Sequence, residues 1–107
     1  MAKYLYLYRG PATPMSEFTP EQSAAQMEAW EAWGRKAGSA LVDFGAPLGP
    51  RTAVADDGTT REASDQNGYS IVEAANLDEA AALLGGHPFL SEGKGRFAVE
   101  VFELLPM

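Results

Sequence analysis

Lys3-Tyr-Leu-Tyr-Leu-Tyr-Arg9 alternates without a break: Tyr4, Tyr6 and Tyr8 point to one side and Leu5 and Leu7 to the other. An extended strand puts successive side chains on opposite faces, so this is a strand with both faces apolar. Gly10-Pro11 ends it, and residues 10–18 read as a loop because Pro11 and Pro14 remove backbone donors. Thr19-Pro-Glu-Gln22 then signals a helix start: Thr19 caps, Pro20 takes the first helical position and Gln22 completes a capping box. That helix is expected to reach about Ala37, with Gly38 as its stop. Met27, Trp30, Trp33, Gly34 and Ala37 share one stripe with Ser23 and Gln26, while Glu31 and Arg35 are spaced for an ion pair on the other side.

Further along, Ala40–Phe44 reads as a short strand and Arg51–Ala63 as a small hairpin turning at Asp57-Gly58. Gly68–Ala74 is the next strand. Asn76-Leu-Asp-Glu79 starts a second helix that ends at Gly85-Gly86, and residues 95–104 form the last strand. In that strand Phe97, Val99 and Val101 face one way and Phe102 and Leu104 the other. The order β-α-β, hairpin, β-α-β predicts an α+β, ferredoxin-like split β-α-β sandwich, one domain over residues 1–107, with a small extra β-hairpin. Right-handed crossovers place both helices on one side of the sheet. The strands nevertheless carry large apolar residues on both faces, and burying each is worth roughly 1.5–3 kcal/mol. A second copy of the same sheet is the simplest cover. The sequence therefore predicts a homodimer packed face to face, with a cavity where sheet and loops meet.

Composition bounds the function. Eight Lys and Arg stand against fifteen Asp and Glu in 107 residues, a net charge of −7, which argues against nucleic acid or an anionic membrane as partner. The absence of cysteine excludes disulfides and thiolate chemistry. No apolar run spans a membrane and no signal-peptide pattern is present, so a cytoplasmic location is expected. No phosphate cradle, dinucleotide fingerprint or nucleophile elbow occurs, and with one His no metal site is spaced; no cofactor is expected.

The chemistry-bearing candidates are few. His87, the single histidine, is either a general acid or base beside a cavity or a residue past a helix end that interacts with its last carbonyls. Asp43, inside Leu41-Val-Asp-Phe44, either faces solvent on a sheet edge or lines the cavity. Paired, His87 would move a proton and Asp43 would orient it. Trp30 and Trp33 are core or ligand contacts, Gln26 can reach a pocket from the stripe's edge, and Tyr6 belongs to core or cavity wall. Asp65 is a turn residue or a ligand contact.

Gly68-Tyr-Ser-Ile-Val-Glu-Ala74, Asn76-Leu-Asp-Glu-Ala-Ala81, His87-Pro-Phe-Leu90 and Phe97-Ala-Val-Glu-Val-Phe-Glu103, with Pro106-Met107, resemble the YCII-related family over nearly the whole chain. The resemblance implies a dimeric α+β barrel. It also implies, for part of the family, dehydrochlorinase or lactone-isomerase chemistry on aromatic breakdown products, with a His–Asp pair as active site. The first-helix histidine of some members falls near Gln26 or Met27 here, and their Asp-Gly-Pro-Phe stretch reads Arg61-Glu-Ala-Ser-Asp-Gln-Asn67. The inherited pair would then be His87 with Asp43 or Asp65. Two functions are carried forward: acid–base chemistry on a small cyclic or aromatic compound, and a non-catalytic ligand-binding or regulatory module.

Overall fold

The computed structural model describes residues 1–11 and 19–106. Part of the loop expected over residues 10–18 lies outside them. β1 (Ala2–Arg9) is one of the two inner strands of a four-stranded antiparallel sheet ordered β2-β5-β1-β6, with β2 at Leu41–Asp43, β5 at Gln66–Ala74 and β6 at Ala98–Leu104. α1 (Pro20–Ala37) and α2 (Leu77–Ala82) complete the two split β-α-β units. β3 (Ala53–Val54) and β4 (Thr60–Arg61) form a separate two-stranded hairpin. This is the ferredoxin-like α+β architecture. No helix among the described residues is long and apolar enough to cross a membrane.

Local chemistry accounts for the elements. The capping box is complete: Gln22 N–H donates to Thr19 Oγ1 at 3.1 Å and Thr19 N–H to Gln22 Oε1 at 2.9 Å. Gly38 stops α1 with φ +57°, a conformation costly for a residue with a Cβ. Asn76 caps α2 by accepting from Glu79 N–H at 2.8 Å. α2 ends at Ala82, earlier than Gly85, because the chain tightens there into turns, with Leu84 N–H reaching back only to Ala81 O.

The tyrosine side of β1 is the helix side. Tyr4, Tyr6 and Tyr8 are buried with Trp33, Val72, Ala74, Ala80 and Leu84. In register, Tyr6 lies beside Ser70 and Val101, and Tyr8 beside Gly68 and Val99. Trp33 Nε1–H donates to Leu83 O at 3.0 Å and Lys36 Nζ to Gly85 O at 2.7 Å, so the last turns of α1 are stitched to the chain leaving α2.

Further sequence expectations need correction, beginning with the last strand, which starts at Ala98 and not at residue 95. Met27 is 65% exposed, because only the C-terminal half of α1 lies on the sheet: Trp33 is its one buried residue. Glu31 and Arg35 form no ion pair among the described residues; both are exposed, where such a pair gains little over hydration. The second strand is shortened to Leu41–Asp43 by the 3₁₀ turn Gly38–Ala40 before it and a register shift between Leu41 and Asp43.

Candidate functional site

His87 is only 2% exposed, and it sits where α1, β1 and the 3₁₀ turn Pro88–Leu90 converge. Its place is fixed by the backbone: His87 N–H donates to Leu84 O, and Leu90 N–H donates to His87 O, each at 3.0 Å. Rings surround it. The imidazole centroid is 4.4 Å from that of Trp33, 4.6 Å from Trp30 and 5.2 Å from Tyr8. Phe44 lies beyond the tryptophans at 6.0 Å from Trp30, and Phe89 and Phe97 continue the cluster from Tyr8.

Inside this cage the polar groups form a directed line. Phe89 N–H donates to His87 Nδ1 at 3.0 Å, which makes Nδ1 the acceptor and leaves Nε2 carrying the proton of the neutral ring. Nε2–H can then donate to the Tyr8 hydroxyl at 3.2 Å. Ser70 Oγ donates to Phe44 O at 2.7 Å, so the Tyr8 hydroxyl donates to Ser70 Oγ, also at 2.7 Å. Every hydroxyl and imidazole proton has an acceptor, as burial demands. Burial pushes the His87 pKa down from 6.5 to about 4 and the Tyr8 pKa up from 10.0 to about 12, the Ser70 bond opposing the latter. Both groups are neutral near pH 7.

Asp43 is elsewhere. It is exposed on the edge strand, and its Oδ1 accepts from Gly45 N–H at 2.8 Å. No hydrogen bond or ion pair joins it to His87 among the described residues; Tyr8 takes the Nε2 side, and the line from His87 ends at Phe44 O, one residue from Asp43. The reason is local: an Asx turn at Asp43, with Gly45 at φ +83°, holds the carboxylate over its own loop.

Of the other candidates, Trp30 joins the cluster, packing edge-on to both His87 and Tyr8, and remains half-buried. Tyr6 is fully buried and donates its hydroxyl to Ala80 O. Burial pushes its pKa up to about 12, with Tyr8 adding to the rise. Gln26 is exposed one helical turn before Trp30. Asp65 is exposed beside an open groove lined by Arg9, Gly10, Arg96 and Ala98.

Two members of the line went unread in the sequence: the Tyr8 hydroxyl and Ser70. The available signal was a serine among apolar residues in Gly68–Ala74, pointing to the same side as the tyrosines once the register is known.

No protein-family model matches the chain, and no curated protein matches it. Among solved structures, a similar chain is the 5-chloro-2-hydroxyhydroquinone dehydrochlorinase of Burkholderia phenoliruptrix, in complex with 2,5-dihydroxybenzoquinone. It is 21% identical, with a TM-score of 0.57, and the match covers 96% of this chain and 93% of that one. At that identity the likeness is one of fold.

Proposed function

We propose that the chain is a cytoplasmic YCII-related protein that pairs through the open face of its sheet and binds a small cyclic or aromatic compound. On this reading it acts on that compound by acid–base chemistry at the His87–Tyr8 end of the buried line. The observation that carries the reading is the line itself: three polar side chains wired in one direction inside a cage of rings. Desolvated titratable groups gathered in this way are what an acid–base site requires. Trp30, half-buried at the cluster's rim, is the contact for the ligand's ring, and Gln26, one turn earlier, is its polar neighbour. A ring hydroxyl or carbonyl that takes the place of the Tyr8 hydroxyl meets the Nε2–H of a neutral imidazole, a donor suited to developing negative charge. The structural neighbour's hydroxylated quinone is a ligand of the same chemical class. Asp43 and Asp65 are then outer contacts.

A second reading, binding without turnover, is favoured by a specific observation: both imidazole nitrogens are already bonded within the chain. Incubation with hydroxylated quinones and chlorinated hydroquinones, followed by thermal shift and product analysis, separates the two. Acid–base catalysis predicts turnover that His87→Ala abolishes while far-UV circular dichroism is unchanged. Binding alone predicts a saturable shift, no product, and lost affinity in Trp30→Ala. If no small aromatic compound shifts the melting temperature, both readings fall.

A further inference from the structure

The polar line behind His87 takes its direction from a group at each end that has no choice of role. A backbone N–H can only donate, and Phe89 N–H claims Nδ1 of His87 at 3.0 Å. A carbonyl oxygen can only accept, and Phe44 O takes the Ser70 hydroxyl at 2.7 Å. That carbonyl is firmly held. The segment after β2 runs along β5 as an irregular continuation of the sheet: Tyr69 N–H donates to Ala46 O at 3.3 Å, Leu48 N–H donates to Asn67 O at 3.0 Å, and Pro47 pairs with Gly68. Gly45, at φ +83°, passes so close to β5 that a Cβ there would run into Tyr69 O. The close crossing brings the Phe44 carbonyl to Ser70.

Ser70 is out of character for its place. It is fully buried on the helix side of β5, in the row that Val72 and Ala74 continue, and a buried hydroxyl is costly unless its bonds are made. Both are made: it donates to Phe44 O and accepts from the Tyr8 hydroxyl, each at 2.7 Å. What it does for its neighbours follows from a count. A neutral imidazole has one bare nitrogen and one protonated nitrogen. Two donors lie within reach of this ring, Phe89 N–H at Nδ1 and the Tyr8 hydroxyl 3.2 Å from Nε2. Both cannot donate to a neutral ring at once. By accepting the tyrosine's proton, Ser70 ends the competition: Tyr8 turns a lone pair toward Nε2, and Nε2 keeps its proton.

We propose that Ser70 is the positioning residue of this site: by taking the Tyr8 proton it holds His87 in the single tautomer that carries its proton on Nε2. The proposal rests on the reading of the His87–Tyr8 end as the reacting end, and adds to it the residue that keeps a donor there. Ser70 itself meets no ligand on this reading. It acts through Tyr8, and its own direction comes from the Phe44 carbonyl that Gly45 lets approach.

Ring-nitrogen NMR of the full chain near pH 7, with no ligand added, tests this, because His87 is the single histidine and its protonated and bare nitrogens give separate signals. The wild type is expected to show Nε2 protonated and Nδ1 bare. In Ser70→Ala the Tyr8 hydroxyl is left with Nε2 as its acceptor. The ring should then show both tautomers, their ratio moved toward Nδ1–H by at least about tenfold, the effect of one hydrogen bond. Adding Tyr8→Phe to Ser70→Ala leaves Phe89 N–H as the sole donor and should return the ring to the wild-type tautomer. A role for Ser70 in packing alone predicts no such return. Ser70→Cys keeps the shape and weakens both bonds, so it should move the ratio the same way by less. It decides the matter if far-UV circular dichroism shows that Ser70→Ala does not fold. A wild type with its proton on Nδ1, a ring unchanged in Ser70→Ala, or a shift that Tyr8→Phe does not reverse overturns the proposal. Each of these is read without ligand, so they are distinct from a failure of aromatic compounds to bind, which removes the reading of the site.

Discussion

β1 carries two populations of side chains that share one backbone and have opposite surroundings. Tyr4, Tyr6 and Tyr8 are at most 3% exposed beneath the helices, whereas Leu5 and Leu7, interleaved with them, remain half-exposed beside Tyr69, Ile71, Phe102 and Leu104. Alternation in the sequence says only that two faces exist; it does not say which is covered first. The structure shows that the amphipathic residues took the protein's own core and the plain aliphatics were left outside. The physical reason is that a tyrosine needs a partner for its hydroxyl when buried, and the helix side supplies them: Glu103, Ala80 O and Ser70. A leucine needs only a surface, which a second copy can provide.

The comparison can be broken most severely on the covered side. Trp33→Ala empties the centre of that face and strands Leu83 O, so unfolding by urea should register a loss of about 3–5 kcal/mol. Next in size is a pH effect confined to the same side. His87 stays neutral in the fold down to about pH 4, while in the unfolded chain it takes up a proton near 6.5. Its contribution to stability is complete above pH 6.5, declines as the pH falls from 6.5 to 4, and is exhausted below that; the loss amounts to about 3 kcal/mol. The difference in stability between wild type and His87→Gln, followed from pH 7 to 4, should show that slope, and parallel curves would mean the imidazole is not held neutral. The smallest effect belongs to the open side. Leu5→Ser or Phe102→Ser should cost the isolated monomer less than about 1 kcal/mol, since neither residue is buried there. A loss as large as that of Trp33→Ala would show that the two faces are not as different as their exposures indicate.

Much of this fold was legible in the sequence wherever the cause is local. The Thr19–Gln22 capping box, the Gly38 stop, the Asn76 cap and the Asp57-Gly58 turn each depend on neighbours within a few residues. The tyrosine ladder was legible as well, because a period of two carries its own meaning. The site was far less so. His87 was visible as a lone histidine, but its partner Tyr8 is 79 positions away and Ser70 is reached only through Tyr8. Asp43 drew notice as a charge in an apolar strand, yet the Gly45 amide two residues on satisfies it. Met27 shows the other limit, since periodicity assigns a stripe to a helix but not how far the sheet beneath it extends.

The position of β1 has a bearing on how the chain is made. It lies between β5 and β6, so β1, made before any other strand of this sheet, needs partners on both edges that come from Gln66–Ala74 and Ala98–Leu104. At roughly 5–20 residues per second, Leu5, Leu7 and the tyrosines wait several seconds for their first neighbour and longer for the second. For that interval the nascent chain presents an unpaired apolar ribbon, and its lifetime is set by translation speed. Slow codons anywhere between Gly10 and Ala74 would lengthen the exposure, making soluble yield sensitive to elongation rate in a way that the stability of the finished molecule does not reveal.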